Sequence, residues 1–504
     1  MRIMTLIICT VLSVSYSSVA ENEADSLHHL ALRGIDLATT LQYDKAINVF
    51  ERVIAADPDN PMGYFLRSAA YFWMFSADMH NEKLGETFKA LSYEAVDVAE
   101  RRLEIDETDI DAMFFLGGAY GSLGRYYGMK RSFLKAYWYG KKGVNILEDV
   151  VEQDSTYYDA YLGLGIYHYL ADVLPRFVKI LSFLLGIDGD RERGIQELVL
   201  AVDKGTYVQT EAMFFLGAIY TYREREYDKA LTIWNDLLKK YPDNPGVLIH
   251  MGRCYANRGE CYKAVEIYKK ILANREKASL IPMTSIHYQL GNVQFKLNEF
   301  NSAIASLQES IRIDTSSAEN RRWTYEWAHF WIGESFSILG DNEKAHSYYN
   351  QITEDNNSRA FERAQERLNK PLTTVDIQIL IGRNSITCQR YQEALEIFLT
   401  QRDNLKERLD NIAVEDKNEL TFYIGETLYH MGRYREAISE LNNLLVVQNL
   451  DTDLKSWAHY HRGNCYKAIG NTERALEDFK KSVEMEDPVM VDRIKKTIEI
   501  LEKS

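Results

Sequence analysis

One interval runs through most of this 504-residue chain: a glycine followed twelve positions later by an alanine. It occurs at Gly34/Ala46, Gly252/Ala264, Gly291/Ala303, Gly333/Ala345, Gly382/Ala394, Gly425/Ala437 and Gly463/Ala475. Self-similarity at a fixed spacing is the mark of a repeat architecture, and this one reads as all-α. Two antiparallel helices joined by a tight turn approach closely only where small side chains face each other. Glycine on the first helix and alanine on the second meet that need. A large aromatic stands four residues beyond the alanine at Phe50, Trp234, Tyr268, Tyr349, Phe398 and Phe479, and is expected to fill the gap toward the next hairpin. DPDNP at 57–61 and YPDNP at 241–245 close one hairpin and open another, since proline halts a helix yet suits the first turn of the next.

This pattern resembles the tetratricopeptide repeat family, whose unit is a helix-turn-helix of about 34 residues, over residues 25–490. The resemblance implies an α-α superhelix, a solenoid of about eleven stacked hairpins with a concave inner surface. Composition agrees: the chain is too long for one core, 46% of it is hydrophobic, and its eight prolines leave little room for extended segments. Residues 21–208 read as an irregular block with long second helices, 209–490 as a regular block, and 491–504 as a capping helix. The Gly217/Ala230 interval is thirteen, so the turn YREREYD is expected to bulge.

An apolar insert, DVLPRFVKILSFLLGIDGDRERG, occupies 172–194. It is similar to an element of the eukaryotic inclusion-body-clearance group of tetratricopeptide proteins, through Leu174, Pro175, Leu181, Gly189, Asp190 and Arg191. Two readings stand: a short helix tucked inside the superhelix, or an exposed apolar surface of Phe177, Ile180, Leu181, Phe183 and Leu184 that touches lipid or a hydrophobic partner. The first is favoured, and about fifteen apolar residues cannot span a bilayer. Asp190 is placed to cap the helix that follows.

Residues 1–20, MRIMTLIICTVLSVSYSSVA, read as a cleaved signal peptide, so the protein is expected to be exported, to a periplasm or to the outside. A net charge of −15 makes nucleic acid an unsuitable partner. Cys254 and Cys261 are spaced to pair in an oxidising compartment, with buried thiols the equal alternative. The stretch 125–142 interleaves six basic residues with six aromatics; a solvated helix face over aromatic core is favoured there above a membrane or nucleic-acid contact. The sequence has no HExxH, GxSxG or GxxxxGK[ST] motif, and neither catalysis, a cofactor nor a metal is expected.

The resemblance also implies where ligands meet the fold, on first-helix positions facing the concave side. In the glycine register these are Tyr288, Asn292, Phe295 and Lys296, then Trp327, Phe330 and Glu334, then Arg383, then Phe422, Glu426 and Tyr429, and finally Trp457, Tyr460, Asn464 and Lys467. Rings with interspersed amides and charges suit an extended peptide, although about half of these rings are expected to pack between helices. The family's lysine-asparagine clamp for a terminal carboxylate is absent, because Tyr288 and Tyr460 stand where its lysine would be. The expected function is an exported scaffold that recognises protein segments in its groove. The alternative is a membrane-peripheral adaptor, or a carrier of a hydrophobic ligand, acting through 173–187.

Overall fold

The computed structural model describes residues 27–79, 81–173, 189–274, 281, 283–314, 323–354, 358–407, 414–485 and 488–502. Among them the regular elements are all helices. The chain condenses into two compact units, one holding the residues up to Cys254 together with 273–282, the other holding Tyr255–Leu272 and the residues from Met283.

In the first unit α1 (27–39) pairs with α2 (Tyr43–Ala56), α3 (Pro61–Ala77) with α4 (Glu82–Ile105), α5 (Ile110–Met129) with α6 (Phe133–Gln153), α7 (Ala160–Asp172) with α8 (Arg191–Lys204), and α9 (Gln209–Ile219) with α10 (Tyr227–Lys240). There follow α11 (Pro245–Arg258) and α12 (Cys261–Ala273). The second unit then pairs α13 (Met283–Lys296) with α14 (Phe300–Arg312) and α15 (Trp323–Ile338) with α16 (Asn342–Tyr349). After α17 (Ser358–Asn369) it pairs α18 (Thr374–Thr387) with α19 (Tyr391–Glu407), α20 (Val414–His430) with α21 (Tyr434–Leu445), and α22 (Thr452–Ala468) with α23 (Thr472–Glu484). Among the described residues, chain order thus gives the expected eleven helix pairs, the additional α17, and a terminal α24 (Pro488–Glu502) whose Ile494 packs on Tyr466 and Phe479.

The seven alanines of the repeated interval are all fully buried. The aromatic four residues beyond them does something different from the expectation: it lies over the glycine of its own hairpin. A Cβ on Gly34, Gly217, Gly333 or Gly382 would collide with the ring of Phe50, Trp234, Tyr349 or Phe398. At Gly291 and Gly425 the same place is taken by Leu307 and Leu441. Glycine is therefore needed because a large side chain from the second helix fills the space a Cβ would occupy. Turns of the second unit use the left-handed region, with φ of +85° at Gly340 and +74° at Gly432, a conformation cheap for glycine.

Two local expectations hold. The extra residue between Gly217 and Ala230 is absorbed by a π-helical turn over Tyr220–Glu224, closed by Arg225 at φ +56°. Asp190 caps α8, its carboxylate accepting from the Arg193 N–H at 2.9 Å. The body of the apolar insert and the signal-like segment lie outside the described residues.

One expectation needs correction. Cys254 and Cys261 are not partners: Cys261 forms a disulfide with Cys388, their Cα atoms 5.4 Å apart. Cys254 is a buried thiol directed at the Tyr227 carbonyl oxygen at 3.6 Å. The second unit also carries ties that a simple stack lacks. The turn after α18 returns onto residues two and three hairpins earlier: Asn384 Nδ2 donates to the Phe295 carbonyl at 3.0 Å, Asn298 Nδ2 donates to the Ile381 carbonyl at 3.2 Å, and Gln389 Nε2 donates to the Arg258 carbonyl at 2.6 Å. A simple solenoid touches only nearest neighbours. Here the disulfide and these amides tie distant hairpins together.

Candidate functional site

That return divides the fourteen proposed ligand positions, together with Lys296, into two groups. In the first, on α13 and α15, most side chains are structural. Tyr288 is buried against Trp323, with ring centroids 5.2 Å apart, and Phe295 is held between Phe300 and Trp331 at 5.4 and 4.9 Å. Phe330 lies fully buried beside Tyr349, while Trp327 and Asn292 are half-buried. The Glu334 carboxylate is sealed in the core, accepting from the Tyr349 hydroxyl at 2.8 Å and from Arg367 Nε of α17 at 2.7 Å. Lys296, at the crowded end of α13, has its ammonium pushed down in pKa by burial.

The second group converges. Glu426 sits on α20, one turn before His430, the last residue of that helix. His461 Nε2 of α22 lies 3.6 Å from its carboxylate and His430 Nε2 3.9 Å, and the carboxylate accepts no hydrogen bond among the described residues. Burial raises its pKa to about 7, with the Arg383 guanidinium of α18 opposing that rise. Rings enclose the group. His461 is buried, its ring 5.5 Å from Tyr429, 5.7 Å from Phe422, 6.0 Å from Trp457 and 5.3 Å from Tyr460. Burial drives its pKa down to about 3, so the ring is neutral, and its Nδ1 has no hydrogen-bond partner among the described residues. On the other side His430 stacks on Tyr391 of α19 at 5.2 Å, with the planes 4° apart.

Arg383 is exposed and lies over the Tyr423 ring, 5.3 Å from its centroid. Burial also raises the pKa of Glu419 and of Asp416 along the same helix, and neighbouring carboxylates, Asp376 among them, add to both rises. Asn464 is half-buried and donates from Nδ2 to the Tyr460 carbonyl at 3.0 Å; Lys467 is exposed at the end of α22. Phe422 is buried beneath the cluster, whereas Tyr429, Trp457, Tyr460 and Glu426 are half-buried. The result is a ring-lined recess around a half-buried carboxylate that accepts no hydrogen bond from the described residues, with the Arg383 guanidinium near it. His430, His461, Tyr391 and Tyr423 escaped the sequence reading. His430 and His461 stand four residues after Glu426 and Trp457, one helical turn, and that spacing could have added them.

Chemically the recess suits a cation. Three aromatic residue types present ring faces, and a carboxylate waits beneath them without a donor. Among the described residues no cluster of three or more His, Cys, Asp or Glu side chains has the arrangement of a metal site.

Residues 159–354 match the family Iml2/Tetratricopeptide repeat protein 39, and residues 458–487 match the tetratricopeptide repeat. A TPR repeat-containing protein of Methanocaldococcus jannaschii is 21% identical over 275 residues, covering 54% of this chain and 44% of the relative, so the chain spans less than half of that protein's length. Among solved structures, a tetratricopeptide repeat protein from Parabacteroides merdae is 14% identical, covering 58% of this chain and 98% of that one, with a TM-score of 0.24. Yeast Tom70 is 11% identical, covering 95% of this chain and 96% of its own, with a TM-score of 0.28. With the stacked hairpins and the repeated interval on the same residues, the chain is a tetratricopeptide repeat protein carrying an Iml2-like segment.

Proposed function

We propose that this protein is a non-enzymatic scaffold that binds protein segments across α18, α20 and α22 of the second unit, and that the Glu426 recess receives a basic side chain of the bound segment. The observation that carries the reading is the Glu426 carboxylate, half-buried among rings and accepting no hydrogen bond from the described residues. Leaving a carboxylate in that state costs stability, and a lysine or arginine from outside would supply the missing donor and charge. The flanking rings offer contact area at low entropic cost, as binding surfaces do. Proteins of this repeat family bind protein or peptide partners, which accords with the same reading.

Export to an oxidising compartment is part of the proposal. It is supported by the signal-like first twenty residues and by the Cys261–Cys388 pair, since structural disulfides persist mainly outside the reducing cytosol. The test is site-specific photocrosslinking in the native source, with benzoylphenylalanine placed at Tyr460 or Tyr429 and, as the control, at Tyr325 on α15. One partner band from the first two positions and none from Tyr325 is expected. Equal bands from all three, or none from Tyr460 and Tyr429, would overturn the reading.

A further inference from the structure

The basic and aromatic stretch of the first unit plays no part in the site above. From Ala112 to Leu147 the sequence carries six basic residues and no acidic one, inside a protein of net charge −15. Much of this stretch is core, as the bland reading expects: Tyr139 stacks between Tyr120 and Tyr127 at 6.1 and 5.3 Å, and its hydroxyl meets that of Tyr93 at 2.7 Å. Three side chains do not fit that account. Phe133, Leu134 and Trp138, in the first two turns of α6, are 68%, 81% and 56% exposed. With 3.6 residues per turn they share one face of the helix, an arc of about 140°.

Their place in the fold makes them a tip. α5 and α6 join through Lys130, Arg131 and Ser132, where Arg131 adopts a φ of +57°, so the chain reverses at once and α6 begins at the edge of its hairpin. Around the apolar arc Arg131 and Lys135 are exposed and make no ion pair among the described residues, while Lys130 reaches Glu82 at 2.5 Å.

We propose that this tip docks on an anionic lipid bilayer, with Phe133, Leu134 and Trp138 entering the boundary between headgroups and acyl chains and Arg131 and Lys135 meeting lipid phosphates. Charge complementarity selects the occupant. Carboxylates from other helices pair with three of the six cations, Glu211 with Arg125, Glu82 with Lys130 and Glu100 with Lys142, so the attraction falls to Arg131 and Lys135 at the tip. An acidic protein is repelled by an anionic membrane over most of its surface, and these two cations beside the apolar arc are where that repulsion turns to attraction. A second copy of the chain would set the same cations against each other. An interfacial helix is read by this combination of an apolar face, a tryptophan and flanking basic residues, and a tip needs to enter only about 5–10 Å.

The test is co-sedimentation of the full chain with phosphatidylcholine vesicles, with and without phosphatidylserine. Binding to the anionic vesicles alone is expected, weakening as salt is raised. Leu134→Glu and Trp138→Ala should each weaken it about tenfold with helical circular dichroism unchanged, since both side chains are exposed. Lys135→Glu should weaken binding while leaving the apolar arc intact. No sedimentation with anionic vesicles, equal binding to neutral ones, or indifference to Leu134→Glu would overturn the proposal. So would lipid-free self-association that Leu134→Glu abolishes, because the face would then be an interface between copies.

Discussion

At the scale of single residues, Glu426 and His461 set opposite pH dependences within one recess. Burial raises the folded-state pKa of Glu426 to about 7 from an ordinary value of 4.5, so the folded state keeps a proton that the unfolded chain has released. Its contribution to stability is complete below pH 4.5 and is lost as pH rises toward 7. Burial lowers His461 from 6.5 to about 3, so its contribution is present above pH 6.5 and is lost as pH falls toward 3. The amide of Glu426→Gln keeps the shape and removes the first effect. This variant is expected to match the wild type at pH 4 and to exceed it at pH 8, by up to about 3 kcal/mol, the worth of a shift of that size. Thermal or urea unfolding at the two pH values checks this; a variant no more stable at pH 8 would mean that the carboxylate is satisfied when ionised. A group held at such a cost is better explained by what it binds than by what it stabilises.

At the scale of the helix pair, the glycine positions differ in what stands over them, and that difference predicts their tolerance. A Cβ on Gly165 in α7 would meet the Gly194 carbonyl oxygen at 2.8 Å and the Leu198 nitrogen at 2.9 Å, both main-chain atoms that cannot rotate aside. Gly121 in α5 has nothing within 4 Å of that point. Gly165→Ala should therefore destabilise the first unit by about 1–3 kcal/mol as α7 and α8 are forced apart. Gly121→Ala should be neutral or stabilising by up to about 1 kcal/mol through helix propensity. Denaturant midpoints of the two variants decide it.

The repeats were legible because small residues at close approach leave a spacing in one dimension. Capping by Asp190 and the bulge after Gly217 were legible for the same local reason. The helix α17 was not, since it belongs to no glycine–alanine pair; long-range contacts hold it, with Ala360 and Ala364 buried against Phe330 and Tyr349 and Arg367 on Glu334. That contact also explains why Glu334, placed in the groove by register, is core. Register assigns a face to a residue; it does not say whether another element will cover that face. For α13 and α15 other helices do, and for α20 and α22 the recess stays open.

At the scale of the whole chain, contacts between residues far apart in sequence distinguish the second unit from a one-dimensional stack. The Cys261–Cys388 bond joins residues 127 apart, so it restricts a long loop in the unfolded chain. In the chain-entropy account a closure of that length stabilises by about 4–5 kcal/mol. Reduction, or Cys388→Ser, should lower the unfolding transition of the second unit and leave that of the first where it was, because both cysteines lie in the second. Calorimetry with and without reductant reports this directly, and a common shift of both transitions would show the units unfolding as one.

The central claim is that the second unit reads positive charge through Glu426, and isothermal titration with two synthetic probe peptides, one rich in lysine and arginine and one in aspartate and glutamate, tests it most directly. The basic peptide is predicted to bind at pH 8, about tenfold more weakly to Glu426→Gln, and more weakly to the wild type at pH 6, where the carboxyl is protonated. Equal affinity for the two peptides, or a basic peptide indifferent both to Glu426→Gln and to pH, would contradict the account.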